Sequence, residues 1–403
     1  MENINRTQLF RASCLSLLVT SLSFGIRAGI LNKLGVDFQL DKAQLGSITA
    51  TAFWGFPLAV VFGGIIVDLI GMKRLLVMAF VFHLAGILLT VFAQGYWTLF
   101  FSTLLIGLAN GTVEAACNPL VTSLYPQTKT TKLNHFHLWF PGGIVIGTLI
   151  VLLLNKINIG WQVQVGVMLI PTLIYGYLFS KLDFPVTERV ASGVSTAGMY
   201  KALLNPLFIF MFICMFGTAI TELFTGQWID VLLKNVTDNA ILILTLDTGV
   251  MVVGRAFAKP VLKLFPPQVL LLISTTLAAL GIYLLSTVTG PAIYGAAIIF
   301  GMGVCYFWPT MLGFVNENLP KTGALGLNLM GGAGMFAVSL YTIVMGRYYD
   351  DIVKAANGDN ATAGPKILQA TLIIPLILIV AFGGLVLYMR TKHKTQPLAN
   401  PVV

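Results

Sequence analysis

Glu114 sits well inside an apolar run, in the stretch GLANGTVEAACNPLVTSL. A charged carboxylate is expensive in apolar surroundings, so this one has to face a cavity or a polar partner. An acid that takes up a proton from one side and releases it on the other does the chemistry that proton coupling requires. The plainer role is a structural acid bonded to a neighbouring helix. Asn118 follows four residues later and shares its helical face, with an amide able to bond a hydroxyl. Pro119 has no N–H, frees a carbonyl and permits a bend. Asn134, in KLNHFHLWFPGG, stands near the start of the next run, where it either reaches a ligand or caps its helix.

A second acid, Glu222, pairs in position with Arg27. At 1.5 Å per residue, Arg27 lies roughly 8 Å and Glu222 roughly 9 Å from the outer ends of their runs, whereas Glu114 lies on the order of 25 Å below the outer end of its own. Arg27 and Glu222 are therefore placed either to close an outer gate across a cavity or to bind polar groups of a ligand. Trp139, Trp228, Trp308 and Tyr306 stand among Gln227, Asn316 and Asn328. Aromatic faces that pack on C–H groups beside amides that bond hydroxyls suit a sugar, although the commoner fate of any single aromatic is core or lipid contact. Asp247 either acts in the site or bonds a neighbour, and His83 reads as a helix-packing histidine.

These residues need elements to position them. The chain has 403 residues, 57% hydrophobic and only 10% charged, with a mean hydropathy of +0.88. A soluble domain carries about 25% charged residues, so lipid has to cover this one. Backbone groups in lipid must be bonded internally, which leaves helices or a closed barrel, and the continuous apolar runs exclude the alternation of a barrel. Twelve spans are expected, at 9–32, 44–67, 75–94, 98–123, 133–155, 162–181, 204–228, 239–260, 268–288, 291–316, 323–346 and 367–390. With the N-terminus inside, sixteen lysines and arginines fall in inner loops and tails against seven in outer loops, so both termini are expected in the cytoplasm. Trp97 and Trp161 are expected at outer interfaces. The first apolar run has no small-residue cleavage site and reads as a helix rather than a removed leader.

The polar stretch 182–203 falls near the middle and reads as a cytoplasmic linker between a half at 1–181 and a half at 204–403. Echoes support a duplication: Asn118-Pro119, Leu133-Asn134 and Gly142-Gly143 return as Trp308-Pro309, Leu327-Asn328 and Gly331-Gly332, and Phe24-Gly25 returns as Phe216-Gly217.

Between the second and third spans stands GGIIVDLIGMKR. Gly64 lets helices approach closely, Asp68 accepts bonds from a helix end or a cation, and Lys73 and Arg74 follow Gly71 to hold the loop inside. The motif resembles the loop signature of the major facilitator superfamily, and Gly254-Arg255 in TGVMVVGRAFAKP resembles its weaker second copy. The resemblance implies an all-α membrane protein of two pseudo-symmetric six-helix halves, with both copies acting as cytoplasmic gate elements.

GLANGTVEAACNPLVTSL, KLNHFHLWFPGG, FWPTMLGF and the later GGAG resemble the fucose:proton symporter family of sugar transporters. That resemblance implies a site built on Glu114, Asn118 and Asn134, with Pro119 between. His137 stands where the family usually has Gln, Phe140 replaces a second Asn, and FGIRAGIL offers Arg27 where the best-known members have a first-span acid. The implied activity is proton-coupled symport of a monosaccharide or similar polyol by alternating access, in a bacterial inner membrane. Glu114 would carry the proton; His137, Trp139, Gln227, Trp228, Tyr306, Trp308 and Asn328 would join Arg27, Asn118, Asn134 and Glu222 around the substrate. The rivals are a drug or other small-solute/proton antiporter and a non-transporting receptor. The lysines and arginines are scattered through short loops, which argues against a nucleic-acid partner. The four cysteines are far apart and spaced for neither metal nor disulfides. No cofactor and no enzymatic centre is expected, and the chain is expected to be a monomer.

Overall fold

The computed structural model describes residues 4–40, 42–226, 240–357 and 362–395. Among them are twelve long helices: α1 (Arg6–Asp37), α2 (Lys42–Ile70), α3 (Met72–Val91), α4 (Tyr96–Leu124), α5 (Lys129–Lys156), α6 (Trp161–Lys181), α7 (Pro206–Phe224), α8 (Ala240–Ala256), α9 (Pro267–Thr287), α10 (Ala292–Asn318), α11 (Gly323–Ala355) and α12 (Ala363–Thr395). Eleven are long and apolar enough to cross a bilayer. The other, α8, has 17 residues and begins directly after the undescribed stretch 227–239. Large apolar side chains stay exposed around the outside, among them Phe62, Phe92, Ile213 and Val380. That surface is compatible with hydrocarbon and not with water.

Local chemistry sets the helix limits. Asn205 accepts from the Leu207 N–H and Pro206 occupies the first turn of α7, where its missing donor is harmless. Gly71 joins α2 to α3 at φ +86°, a left-handed conformation that a side chain would strain. Three of these helices are broken. α5 consists of Lys129–His137 and Trp139–Lys156, α6 of Trp161–Gly166 and Leu169–Lys181, and α10 of Ala292–Val304 and Phe307–Asn318. Each break lies just before a proline, Pro141, Pro171 or Pro309, that cannot donate to the carbonyl four residues back.

Within the first six helices α2 and α3 pack along α4, and α1 packs along α5; within the last six, α9 packs along α10 and α12. Across the two sets, α2 meets α11 and α5 meets α8 and α10. The face at which α1 begins and α12 ends is termed basal. The stretch 182–203, read as a linker, carries two short helices there, Glu188–Ala191 and Thr196–Leu203. α11 runs nine residues past its expected end. Trp97 is exposed at the start of α4, as an interface residue would be. Trp161 is not at the surface: it is buried, and its indole N–H donates to Asp37 at 2.7 Å.

Candidate functional site

Three prolines prepare the polar layer. Pro119 leaves Ala115 O without its helical donor, Pro141 does so for His137 O, and Pro309 for Cys305 O. Each carbonyl is bonded instead by a side chain from another helix. Asn328 Nδ2 of α11 donates to Ala115 O at 3.0 Å. Arg255 of α8 donates through Nη1 to His137 O at 2.8 Å and through Nε to Cys305 O at 2.7 Å. Its remaining terminal nitrogen, Nη2, reaches Glu222 Oε1 at 2.9 Å. Arg255 is 2% exposed. A guanidinium buried that deeply persists only because its fork is filled on all sides. Glu222 stands in a π-helical turn, Ile220–Phe224, at the end of α7; such turns frequently accompany functional positions.

On the other side of the His137 backbone lies Glu114, 4% exposed. Asn118 Nδ2 donates to Glu114 Oε2 at 2.7 Å, and Asn118 Oδ1 accepts from His137 Nε2 at 3.0 Å. His137 Nδ1 is 3.8 Å from Glu114 Oε1. With Nε2 donating, neutral His137 turns its acceptor nitrogen toward the carboxyl. The two acids thus belong to one chain of contacts, Glu114–Asn118–His137–Arg255–Glu222, built from α4, α5, α8 and α7.

Other candidates fall around this layer. Asn134 is fully buried nearer the basal face, donating to Thr130 O at 2.9 Å and to Thr310 Oγ1 at 3.4 Å, with its own oxygen unsatisfied. Trp308 lies across Gly331 and Gly334 of α11, and the Tyr306 hydroxyl donates to Gly254 O at 2.6 Å. Trp139 is half-buried, its carbonyl accepting from Ser21 Oγ of α1 at 2.9 Å. Gln227 and Trp228 lie outside the described residues. Arg27 sits over the Phe24 ring, 5.2 Å from its centroid, and borders a cavity of about 30 Å³ within the first six helices. The partner of Glu222 is Arg255, not Arg27. His83 bonds Tyr175 and Asn110 at 2.7 and 2.8 Å, a packing role.

The motif residues form the basal closure. A Cβ on Gly64 would come within 2.5 Å of Asn328 Cβ, so only glycine lets α2 approach α11 this closely. Asp68 pairs with a cation, accepting from Arg189 Nε at 2.5 Å, and also accepts from the hydroxyl of Thr187, the residue that precedes the short helix Glu188–Ala191. Lys73 donates to Leu182 O at 2.9 Å, and Arg74 is exposed. Thr130 donates through its backbone and hydroxyl to Glu317 Oε1 at 3.1 and 2.6 Å. The bonds Thr130–Glu317, Asn134–Thr310, Arg255–His137 and Asn328–Ala115, which join the first six helices to the last six, all lie in the basal half. From the Gly254-Arg255 pair, Arg255 reaches up into the buried polar layer and joins α8 to α5. The signal in the sequence was the pair of prolines four residues after His137 and Cys305, which announce free carbonyls without naming the donor.

Twelve helices closed at one face around a buried acidic layer describe a multi-pass membrane protein. The chain belongs to the Major Facilitator Superfamily, whose model matches residues 13–354. Two solved structures of the E. coli fucose:proton symporter FucP, one in the outward conformation, align with TM-scores of 0.73 and 0.74 at 17% identity, covering 93% of this chain and 98% of theirs. Among curated relatives, the facilitated glucose transporter member 10 of Xenopus laevis is 26% identical over 161 residues, 40% of this chain and 29% of its own. A probable sugar efflux transporter of Haemophilus influenzae is 20% identical over 318 residues, 75% of this chain and 77% of its own. The chain thus spans under a third of the length of the first relatives it matches and nearly all of the symporter fold.

Proposed function

We propose that the chain is a proton-coupled symporter for a monosaccharide or similar small polyol, working by alternating access, with Glu114 as the proton-exchanging residue. The observation that carries this reading is the company Glu114 keeps: a buried carboxyl contacted by an amide and a neutral-capable imidazole, with no arginine or lysine bonded to it among the described residues. Ionised, it is poorly compensated; protonated, it faces an acceptor at His137 Nδ1. The proton is therefore the cheap way to neutralise it. A hydroxylated solute entering from the side opposite the basal face would compete for Asn118 and His137 and so alter how well Glu114 holds its proton. Substrate names among the similar proteins (fucose, glucose and sugar efflux) favour a sugar. In this reading the basal face is cytoplasmic, the membrane is a bacterial inner membrane, the two halves are 1–181 and 204–403 joined by 182–203, and the carrier is a monomer.

The test is uptake into proteoliposomes under an inward proton gradient, with a panel of labelled hexoses, pentoses and inositol. One member is expected to accumulate against its gradient, and Glu114→Gln to abolish accumulation while keeping solute exchange. Accumulation that survives Glu114→Gln refutes the assignment. The sugar-efflux relative supports one rival, antiport, which the same vesicles report as solute moving opposite to protons.

A further inference from the structure

Two buried carboxylates of the last six helices stand against one guanidinium. Glu222 gives Oε1 to Arg255 and faces the Trp308 backbone, and its Oε2 is buried without a side-chain partner among the described residues. Asp247 of α8 is 3% exposed, and its Oδ1 is also buried without a partner. That oxygen is set against Gly301 of α10, whose Cβ, if it had one, would come within 2.8 Å of it. The other oxygen, Oδ2, faces the end of α7, 3.9 Å from where a Cβ of Gly226 would stand. Thr225, the preceding residue, is fully buried and its hydroxyl too has no partner. Among the described residues, the charged and titratable groups that face Asp247 are Glu222 from α7, Arg255 from its own helix and Cys305 from α10.

Arg255 neutralises one acid, and its other donors are committed to His137 O and Cys305 O. A second negative charge on Asp247 would have glycine backbone on two sides and, at Oδ1, no donor among the described residues. Interiors of this kind hold a carboxyl group in its neutral form. Gly301 leaves the carboxyl close-packed, and the described residues around it do not offer the set of about six or more oxygens that a hard metal cation requires.

We propose that Asp247 is a second protonatable carrier residue, which holds a proton while the basal side is closed. Its loss of that proton makes it compete with Glu222 for Arg255. That competition draws the guanidinium from His137 O and loosens the bridge between α5 and α8. The inference concerns a different acid from Glu114 and stands whether or not Glu114 exchanges a proton.

Infrared difference spectroscopy on the full chain in lipid reads it without knowledge of the substrate. Near neutral pH the wild type should show carbonyl-stretch absorption of protonated carboxylic acids. Asp247→Asn should remove one band and leave the band that Glu114→Gln removes. Asp247→Glu, which keeps a carboxyl but displaces it, should shift the Asp247 band without abolishing it, which keeps the test decisive if Asp247→Asn does not fold. A spectrum unchanged by both Asp247→Asn and Asp247→Glu overturns the proposal, as does a wild type whose only protonated-acid band is the one lost in Glu114→Gln. Spectra in sodium chloride and choline chloride should coincide; a band lost only in sodium would make the site one for a metal cation and overturn the assignment to a proton. If Glu114→Gln changes nothing while Asp247→Asn removes a band, the Glu114 reading fails and this one holds.

Discussion

Glu114 in α4 and Glu222 in α7 are both buried carboxylates within one network, yet their partners differ in kind. Glu114 is met by a neutral amide and an imidazole, and Glu222 by a guanidinium that also holds two proline-freed carbonyls. The first setting tolerates a change of protonation, because no fixed charge is left stranded. The second does not, since a neutral Glu222 would leave Arg255 buried and uncompensated. Burial alone thus does not make an acid a proton carrier; the charge of its neighbour decides between carrier and brace.

The strongest way to break this comparison is to remove the brace. Arg255→Met should strand Glu222 and empty two carbonyls, lowering stability by about 3–5 kcal/mol and abolishing transport; thermal unfolding in lipid nanodiscs measures the first and vesicle uptake the second. Adding Glu222→Gln to Arg255→Met should recover part of the lost stability, and a double variant no more stable than the single one would show that the ion pair is not the source. Glu114→Gln should change stability by less than about 1.4 kcal/mol, in contrast to Glu222→Gln alone; equal losses from the two would erase the distinction. Asn328→Ala leaves Ala115 O without a donor and should cost about 1–3 kcal/mol, while raising the reactivity of cysteines introduced on the basal side. Smallest of all is Glu188→Gln at the part-exposed pair with Lys129, whose 2.6 Å contact should be worth under about 1 kcal/mol by double-mutant cycle.

Much of the architecture could be read from residues. Span length and apolar continuity locate the helices because hydrocarbon thickness leaves little freedom, and Glu114 with Asn118 four residues on is a helical-face argument that needs no tertiary knowledge. The part that escaped is long-range. Arg255 lies in a stretch resembling a gate motif, and nothing local says that it reaches a carbonyl 118 positions earlier in the chain. Likewise Glu222 and Arg27 share a depth, which made them plausible partners, but depth says nothing of azimuth, and α8 offers Arg255 first. Gly64 and Gly71 were legible as a motif; their separate reasons, a close approach to Asn328 and a left-handed turn, needed coordinates.

The bonds from Asn328 to Ala115 O and from Arg255 to His137 O both cross between the two sets of six helices. Rocking these sets apart at the basal face strips both carbonyls of their donors at once, at a depth where hydrocarbon supplies none. Only water can replace them. Opening on that face is therefore tied to hydration of the backbone itself, so the sealed state is kept dry by the same contacts whose rupture demands wetting, and a half-open, unhydrated intermediate is disfavoured.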